Sequence, residues 1–267
     1  NHPRGWNTGA SHTRKVRSYQ VEFSWYQDFS KRCKSDARIA NCFGNYVVNN
    51  DQVLILEDLD NAGYPKRKLS LSISEAKVCL KWLASFHATF MELSSAGLWE
   101  IGSYWHLGTR ADEFNAMKAG KLKNAASKLN DRLNQCQFQT IVHGDAKVAN
   151  FCFAKDMKST AMVDFQYTGR SCGMKDVVYF LGSCLNSNQC DKNENNLLDC
   201  YFTELKLALV RHENNLDFDL LEKEWRSMYA IAWTDFTRFL EGWMPTHSKL
   251  NNYSEKLLKE ALSRILC

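Results

Sequence analysis

The segment Ile141 to Phe165, IVHGDAKVANFCFAKDMKSTAMVDF, constrains this chain more than any other. Two β-prone runs, Asn150-Phe151-Cys152-Phe153 and Thr160-Ala161-Met162-Val163, flank the polar stretch Lys155 to Ser159, and together they read as a hairpin. A turn centred on Met157 sets Asn150 directly across from Asp164, with α-carbons about 4.5 to 5.5 Å apart. An amide oxygen and a carboxylate then leave one end of the hairpin together. Hard oxygen donors in small number suit magnesium, which keeps several waters and takes further ligands from substrate phosphates. Asp145 lies in the loop entering the first strand, where its carboxylate can face the same space and accept a proton. Taken singly, each piece has a plain structural reading. His143-Gly144-Asp145 can be a turn with a capping aspartate, or a stray zinc pair with no further ligand at the usual spacing. The combination HGD-x4-N, followed by an aspartate that closes an apolar run before Phe165, is far more specific.

On these residues the chain resembles the kinase-like phosphotransferases that act on small molecules: aminoglycoside phosphotransferases, choline kinases and above all the ecdysteroid kinase-like (CHK-type) family. The resemblance implies a protein-kinase-like two-lobe α+β fold, with a small β-containing N-lobe and a mostly helical C-lobe. It also implies ATP and Mg2+ as cofactors and a small-molecule hydroxyl as acceptor. Within it Asp145 is the base for the acceptor hydroxyl, while Asn150 and Asp164 hold magnesium, as the corresponding groups do in protein kinases. His-Gly-Asp in place of His-Arg-Asp favours a small-molecule kinase. Lys147 instead matches the protein-kinase loop, and reads either as a group touching the transferred phosphate or as a solvated loop lysine.

Other site residues follow from the same resemblance, each beside a plainer reading. Glu22, on an N-terminal helix, pairs with the ATP lysine or is a surface glutamate. Glu57-Asp58-Leu59 is the hinge whose backbone reads the adenine edge, or an ordinary strand-to-loop exit. His143 and Asp176 support the catalytic loop; Asp176, opening an apolar helix, also reads as an N-cap. In the resembling family the glycine-rich strands and ATP lysine precede a segment like Asn1 to Tyr26. The sequence therefore reads as a fragment with no ATP lysine to name and little turnover by itself. Residues 1–59 are then a remnant of the N-lobe and residues 60–267 the C-lobe, the boundary marked by Asn61-Ala62-Gly63-Tyr64-Pro65. Small-molecule kinase is the function expected; a non-catalytic nucleotide- or ligand-binding pseudokinase and a protein kinase are the alternatives.

Composition narrows the partners. The 267 residues are 45% hydrophobic and 24% charged, ordinary for a folded protein, and a net charge of +4 with scattered basic residues argues against nucleic acid. No apolar run approaches the ~20 residues that span a bilayer, no apolar signal-peptide core opens the chain, and no membrane partner is expected. Ten cysteines without a CxxC read as reduced, buried hydrophobes, so the cytoplasm is the expected place. Oligomeric state has no signature.

Along the chain, Ser11 reads as the cap of a helix over Thr13 to Cys33, with Val16, Tyr19, Phe23 and Tyr26 on its apolar face. Arg14, Lys15 and Arg17 in its first turns oppose the helix dipole; they read as solvated, or as bound to a phosphate partner. Tyr46-Val47-Val48 and Val53-Leu54-Ile55-Leu56 form a second hairpin, whose apolar second strand predicts burial on both faces. Ser72-x-x-Glu75 is a capping box before a helix with Cys79, Leu83, Phe86 and Phe90 inward and His87 as a hydrogen-bonded core histidine. Helical patterns follow over Asp112–Gln135, Asp176–Leu185, Asn195–His212, Asp219–Phe239 and Asn252–Ile265. The acceptor pocket is expected among C-terminal helices. Asp235, Arg238 and Trp243 are its candidates beside a core face of Trp233, Phe236 and Leu240, and Trp99, Trp105 and His106 are a second set.

Overall fold

The computed structural model describes residues 9–49 and 51–266. The first eight residues of the basic-aromatic leader, Asn50 in the first hairpin turn and Cys267 lie outside them. The chain has a two-lobe α+β fold in which helices dominate and, among the described residues, the β-structure is three two-stranded antiparallel pieces.

Helix α1 (Ala10–Ser24) starts at Gly9, whose φ of +86° suits only glycine at low cost. Ser11 is therefore inside the helix and not its cap. The helix ends earlier than expected, passing into a π turn over Trp25–Phe29 and a 3-10 turn over Ser30–Arg32. The wider turn lets two successive aromatics, Trp25 and Tyr26, both bury. Trp25 stacks on Phe165 at 4.5 Å between ring centroids. That rotates the buried face onto Val21, Trp25 and Tyr26 and leaves Val16 and Tyr19 exposed.

Strands β1 (Cys42–Val48) and β2 (Asp51–Leu56) pair antiparallel with Tyr46 across from Val53. The expected burial of β2 does not occur. Val53, Ile55 and Leu56 are exposed, because among the described residues this ribbon pairs with no third strand and lies against α1 and the π turn after it along part of its length.

The C-lobe follows its local signals closely. Helix α2 (Ile73–Thr89) opens on the Ser72–Glu75 capping box, buries Cys79, Leu83 and Phe86, and packs along α6 (Ser187–Arg211). The long helix expected over Asp112–Gln135 is two, α3 (Ala111–Ala116) and α4 (Lys121–Asn134). Lys123 Nζ donates to the carbonyls of Asn115 and Met117 at 3.0 and 2.8 Å, closing the end of α3. Strand β3 (Thr140–Val142) pairs with β6 (Gly169–Ser171), and β4 (Phe151–Phe153) with β5 (Thr160–Met162). Helices α5 (Met174–Cys184), α7 (Phe218–Trp243) and α8 (Asn252–Leu266) complete the core. Among the described residues every cysteine is free, and no helix is long and apolar enough to cross a membrane.

Candidate active site

The β4–β5 hairpin forms, with its register one residue from the expected one. Phe151 pairs with Met162, so Asn150 faces Val163, whose N–H donates to the Asn150 carbonyl at 3.1 Å. The Ala154 N–H closes onto the Ser159 carbonyl and Met157 adopts φ +61°, which centres the turn between Asp156 and Met157. A one-residue slip would send every side chain to the opposite face. Asp164 lies beyond the strand, and its own backbone, at φ +72°, sets its direction. Aspartate is among the few non-glycine residues that tolerate this conformation.

The loop before β4 is held from beneath. Asp176 is not an N-cap, since it falls inside the first turn of α5. Its carboxylate accepts from the His143 and Gly144 N–H groups at 2.6 and 2.9 Å and lies 3.1 Å from His87 Nε2. His87 Nδ1 meets the Tyr201 hydroxyl at 2.7 Å, the hydrogen-bonded core role expected of it. Gly144 has φ +79°, and a Cβ there would fall 2.1 Å from the Tyr167 carbonyl oxygen, so the turn admits glycine alone. His143 is fully buried and burial lowers its pKa, which keeps the ring neutral. Its Nδ1 then accepts from the Asp145 N–H at 3.2 Å while Nε2 donates to the Val163 carbonyl at 3.0 Å.

Asp145 emerges from this turn 3% exposed. Its Oδ2 accepts from Lys147 Nζ at 2.7 Å and from Asn150 Nδ2 at 3.1 Å, whereas its buried Oδ1 has no partner. Burial pushes the Asp145 pKa up against the opposing pull of Lys147. Lys147 is thus an ion-pair partner of Asp145 and not a free loop lysine. Burial works against its charge, but the Asp145 carboxylate outweighs it and raises the Lys147 pKa.

Asn150 gives its amide nitrogen to Asp145, donating also to the Asp145 carbonyl at 2.8 Å. Asn150 enters the side-chain hydrogen bonds of the described residues only as a donor through that nitrogen, which leaves its amide oxygen unused, and the buried Oδ1 of Asp164 has no partner. No group of three His, Cys, Asp or Glu forms a ready-made metal cage among the described residues. Two oxygen donors with free lone pairs fit a hard cation that takes its other ligands from water and phosphate.

Glu22 reaches the same region from α1. Its carboxylate accepts from the Phe165 N–H and from Gln166 Nε2, both at 3.2 Å, and burial, then the Asp164 charge, raises its pKa. It forms no ion pair among the described residues. The basic residues of α1 are half-exposed and each also makes a contact within the protein: Arg14 donates to the Thr109 carbonyl at 2.8 Å, Arg17 to Leu98 at 2.8 Å, and Lys15 to Gln166 Oε1 at 3.2 Å. They fasten the helix to the C-lobe.

Side chains at the expected hinge are used locally. Glu57 pairs with Arg38 at 2.5 Å and Asp58 accepts from the Asp60 N–H, while Leu59 packs with Ala40, Cys152 and Ala161. Asp235 and Arg238 do not line an open pocket either. They form a buried ion pair at 2.8 Å, and both bind Trp105, through its indole N–H and its carbonyl. Their i, i+3 spacing on an otherwise apolar helix face made a buried pair as plausible as a pocket. Trp243 is 47% exposed and stacks on Phe239. Trp105 is buried, and burial brings the pKa of His106 down to about 4.

Sequence patterns missed the aromatic wall beside Asp145. Tyr179 abuts Asp145 and packs against Trp105 and Phe236; Tyr104 meets Tyr167 and Phe239 edge-on; and Arg110 lies over the Tyr104 ring at 4.1 Å. These residues come from separate loops and helices, so no local spacing joins them.

With this geometry in hand, comparison with solved structures finds the same fold in an amicoumacin kinase complexed with AMP-PNP and Ca2+. Identity is 13%, TM-score 0.55, and coverage 96% of this chain and 79% of that one. A Plasmodium vivax ethanolamine kinase gives 11% identity, TM-score 0.51 and coverage of 93% and 72%. A microcompartment-associated aminopropanol kinase gives 14%, 0.50, and 99% and 81%. No curated protein matches the chain. The sequence profile of the Ecdysteroid kinase-like family matches residues 10–97 and 102–213, most of the length, and the chain belongs to that family.

Proposed function

We propose that this protein is an ATP- and magnesium-dependent phosphotransferase that phosphorylates a hydroxyl of a small organic molecule, acting in the cytoplasm. Its family and the kinases that share its fold support the reaction class, and its free cysteines suit a reducing compartment. The observation that carries the reading is the unshared Oδ1 of Asp145. Lys147 and Asn150 fix Oδ2, the turn held by Asp176 fixes the backbone, and the remaining oxygen of this buried carboxylate, beside Tyr179, would take the acceptor O–H. Burial makes that oxygen more basic, while Lys147 opposes the shift by favouring the ionised form. Asn150 and Asp164 would hold magnesium, which when bound neutralises phosphate charge. Catalysis on this site is chiefly positioning and electrostatics.

Asp145→Asn keeps the shape and removes the base. Turnover should fall by roughly 10²- to 10⁴-fold with nucleotide affinity nearly unchanged. Asp164→Asn, which tolerates the left-handed backbone, should lose magnesium-dependent nucleotide binding in calorimetry without unfolding. Unchanged turnover in the first variant, or unchanged binding in the second, would sink the assignment.

A second reading, a nucleotide-binding pseudokinase, is supported by Glu22, whose carboxylate already accepts from the Phe165 N–H and the Gln166 side chain. Tight nucleotide binding by the parent protein with no turnover on any alcohol would select it.

A further inference from the structure

A cavity of about 530 Å³ opens where the end of α5, the start of α6 and the loop between α7 and α8 meet. It adjoins the catalytic loop directly: Ser183, in its wall, accepts the Val148 N–H at 2.7 Å. Its lining is unusual in charge. Ser70, Ser183, Asn186, Gln189, Ser248 and Asn251 supply hydroxyls and amides, no aspartate or glutamate lines it, and Lys249 is its single charged residue.

Lys249 is held as a recognition group would be. Its backbone is pinned at both ends, by its N–H to His247 Nδ1 at 3.2 Å and by its carbonyl to the Ser254 hydroxyl at 2.6 Å. Its ammonium lies 5.5 Å from the Tyr179 ring centroid and 5.4 Å from that of Phe236, and has no hydrogen-bond acceptor among the described residues. Tyr179 is the side chain that abuts Asp145, so the lysine stands one aromatic ring away from the carboxylate. A half-buried ammonium that lies over two aromatic rings with no anion in hydrogen-bond reach lacks the ion-pair partner that buried charges ordinarily have. The first turn of α6 also enters the cavity, with the positive end of its dipole.

We propose that this cavity is a subsite for an anionic group of the acceptor, read by Lys249, so that the phosphorylated alcohol is a hydroxy-carboxylate or similar anion and not an amine. This rests on the reading that Asp145 receives the acceptor hydroxyl. An ammonium-bearing alcohol would meet Lys249 at close quarters without a carboxylate in the cavity to compensate, and the Tyr179 and Phe236 faces that could hold it already face the lysine.

The state of the lysine supports the assignment. Burial lowers its pKa to about 8. The ionisable groups facing it are Cys184 on α5, Cys190 on α6, Asp145 in the catalytic loop, Tyr179 on α5 and His247 on its own loop; both thiols and the phenol are kept neutral by burial. An anion in the cavity would favour the charged lysine, so its binding should weaken as pH rises through about 8.

The test measures binding without nucleotide, so it stands apart from turnover and from the Asp145 assignment. Calorimetry on the full chain would use three matched alcohols: 4-(hydroxymethyl)benzoate, its primary amide and 4-(hydroxymethyl)benzylamine. The benzoate should bind about tenfold or more tightly than the amide, with the amine weakest. Lys249→Met should erase that preference and its loss with rising pH, Lys249→Arg should retain the preference, and melting curves would show both variants folded. Amine binding equal to benzoate binding, no measurable benzoate binding at millimolar concentration, or an unchanged preference in Lys249→Met would overturn the proposal.

Discussion

The β4–β5 hairpin buries all six of its residues, whereas the β1–β2 hairpin, equally rich in apolar side chains, leaves Phe43, Tyr46, Val47, Val48 and Ile55 exposed. Their edges explain the contrast. Lys66 exchanges two backbone hydrogen bonds with Phe153 on one side of β4–β5, and the Met162 N–H donates to the Arg38 carbonyl on the other. Phe151 then packs against Trp82 and Phe180 beneath. Among the described residues β1–β2 has no such neighbours on its edges. An apolar strand is buried by what surrounds it, and the hairpin chosen for burial is the one that carries the candidate chemistry.

The sharpest way to break this comparison is to truncate equivalent aromatics. Phe151→Ala should cost roughly 3 to 5 kcal/mol in urea denaturation, by loss of transfer energy and an unfilled cavity. Tyr46→Ala in the exposed hairpin should stay within about 0.5 kcal/mol. Equal losses would mean that β1–β2 is covered in solution.

Polar groups allow the same contrast at smaller scale. Asp176→Ala strands the His143 and Gly144 N–H groups in the interior and should destabilise by about 2 to 3 kcal/mol, with turnover falling as the Asp145 turn loosens. Asp60→Ala breaks only the exposed pair with Arg67 and should cost less than about 1 kcal/mol in the same denaturation experiment.

Acidification should act on the buried region in particular. Burial lowers the pKa of His143, and that of His106 to about 4, so each folded ring binds its proton less readily than in the unfolded chain. Their contribution is fully present above the unfolded value of about 6.5 and is lost as pH falls toward the folded values. The melting temperature should therefore decline below about pH 6.5, and His106→Gln should flatten part of that decline. A profile unchanged by the substitution would remove His106 from the account.

The smallest effect is expected where α1 is fastened to the C-lobe. Arg17→Ala removes donations to the Gly97 and Leu98 carbonyls and should cost about 1 kcal/mol or less. Amide exchange in α1 should quicken while β4 stays protected. Uniform quickening would show that the two regions open as one unit.

Local chemistry made much of this molecule legible. The Ser72–Glu75 capping box, the inward Cys79, Leu83 and Phe86, and the two strands flanking Lys155 to Ser159 all depend on neighbours a few residues away. The constellation of His143, Gly144, Asp145, Asn150 and Asp164 was legible as well, because a short hairpin gathers it. The hairpin register was not, since Ala154–Ser159 closure and the Met157 conformation shift it by one residue, and a left-handed Asp164 then sets the carboxylate's direction.

The sequence by itself determined the hairpin segment that carries the candidate chemistry, the helical C-lobe and the family resemblance. Tertiary structure decided which Asp145 oxygen lacks a hydrogen bond, that Asp176 holds the loop instead of capping a helix, that Asp235 and Arg238 pair internally, and that Lys249 lies over Tyr179 and Phe236. Spacing reports only on groups within a turn or a hairpin of each other. Burial, ion pairing and pKa depend instead on groups tens to hundreds of residues apart, which meet only when the chain has packed.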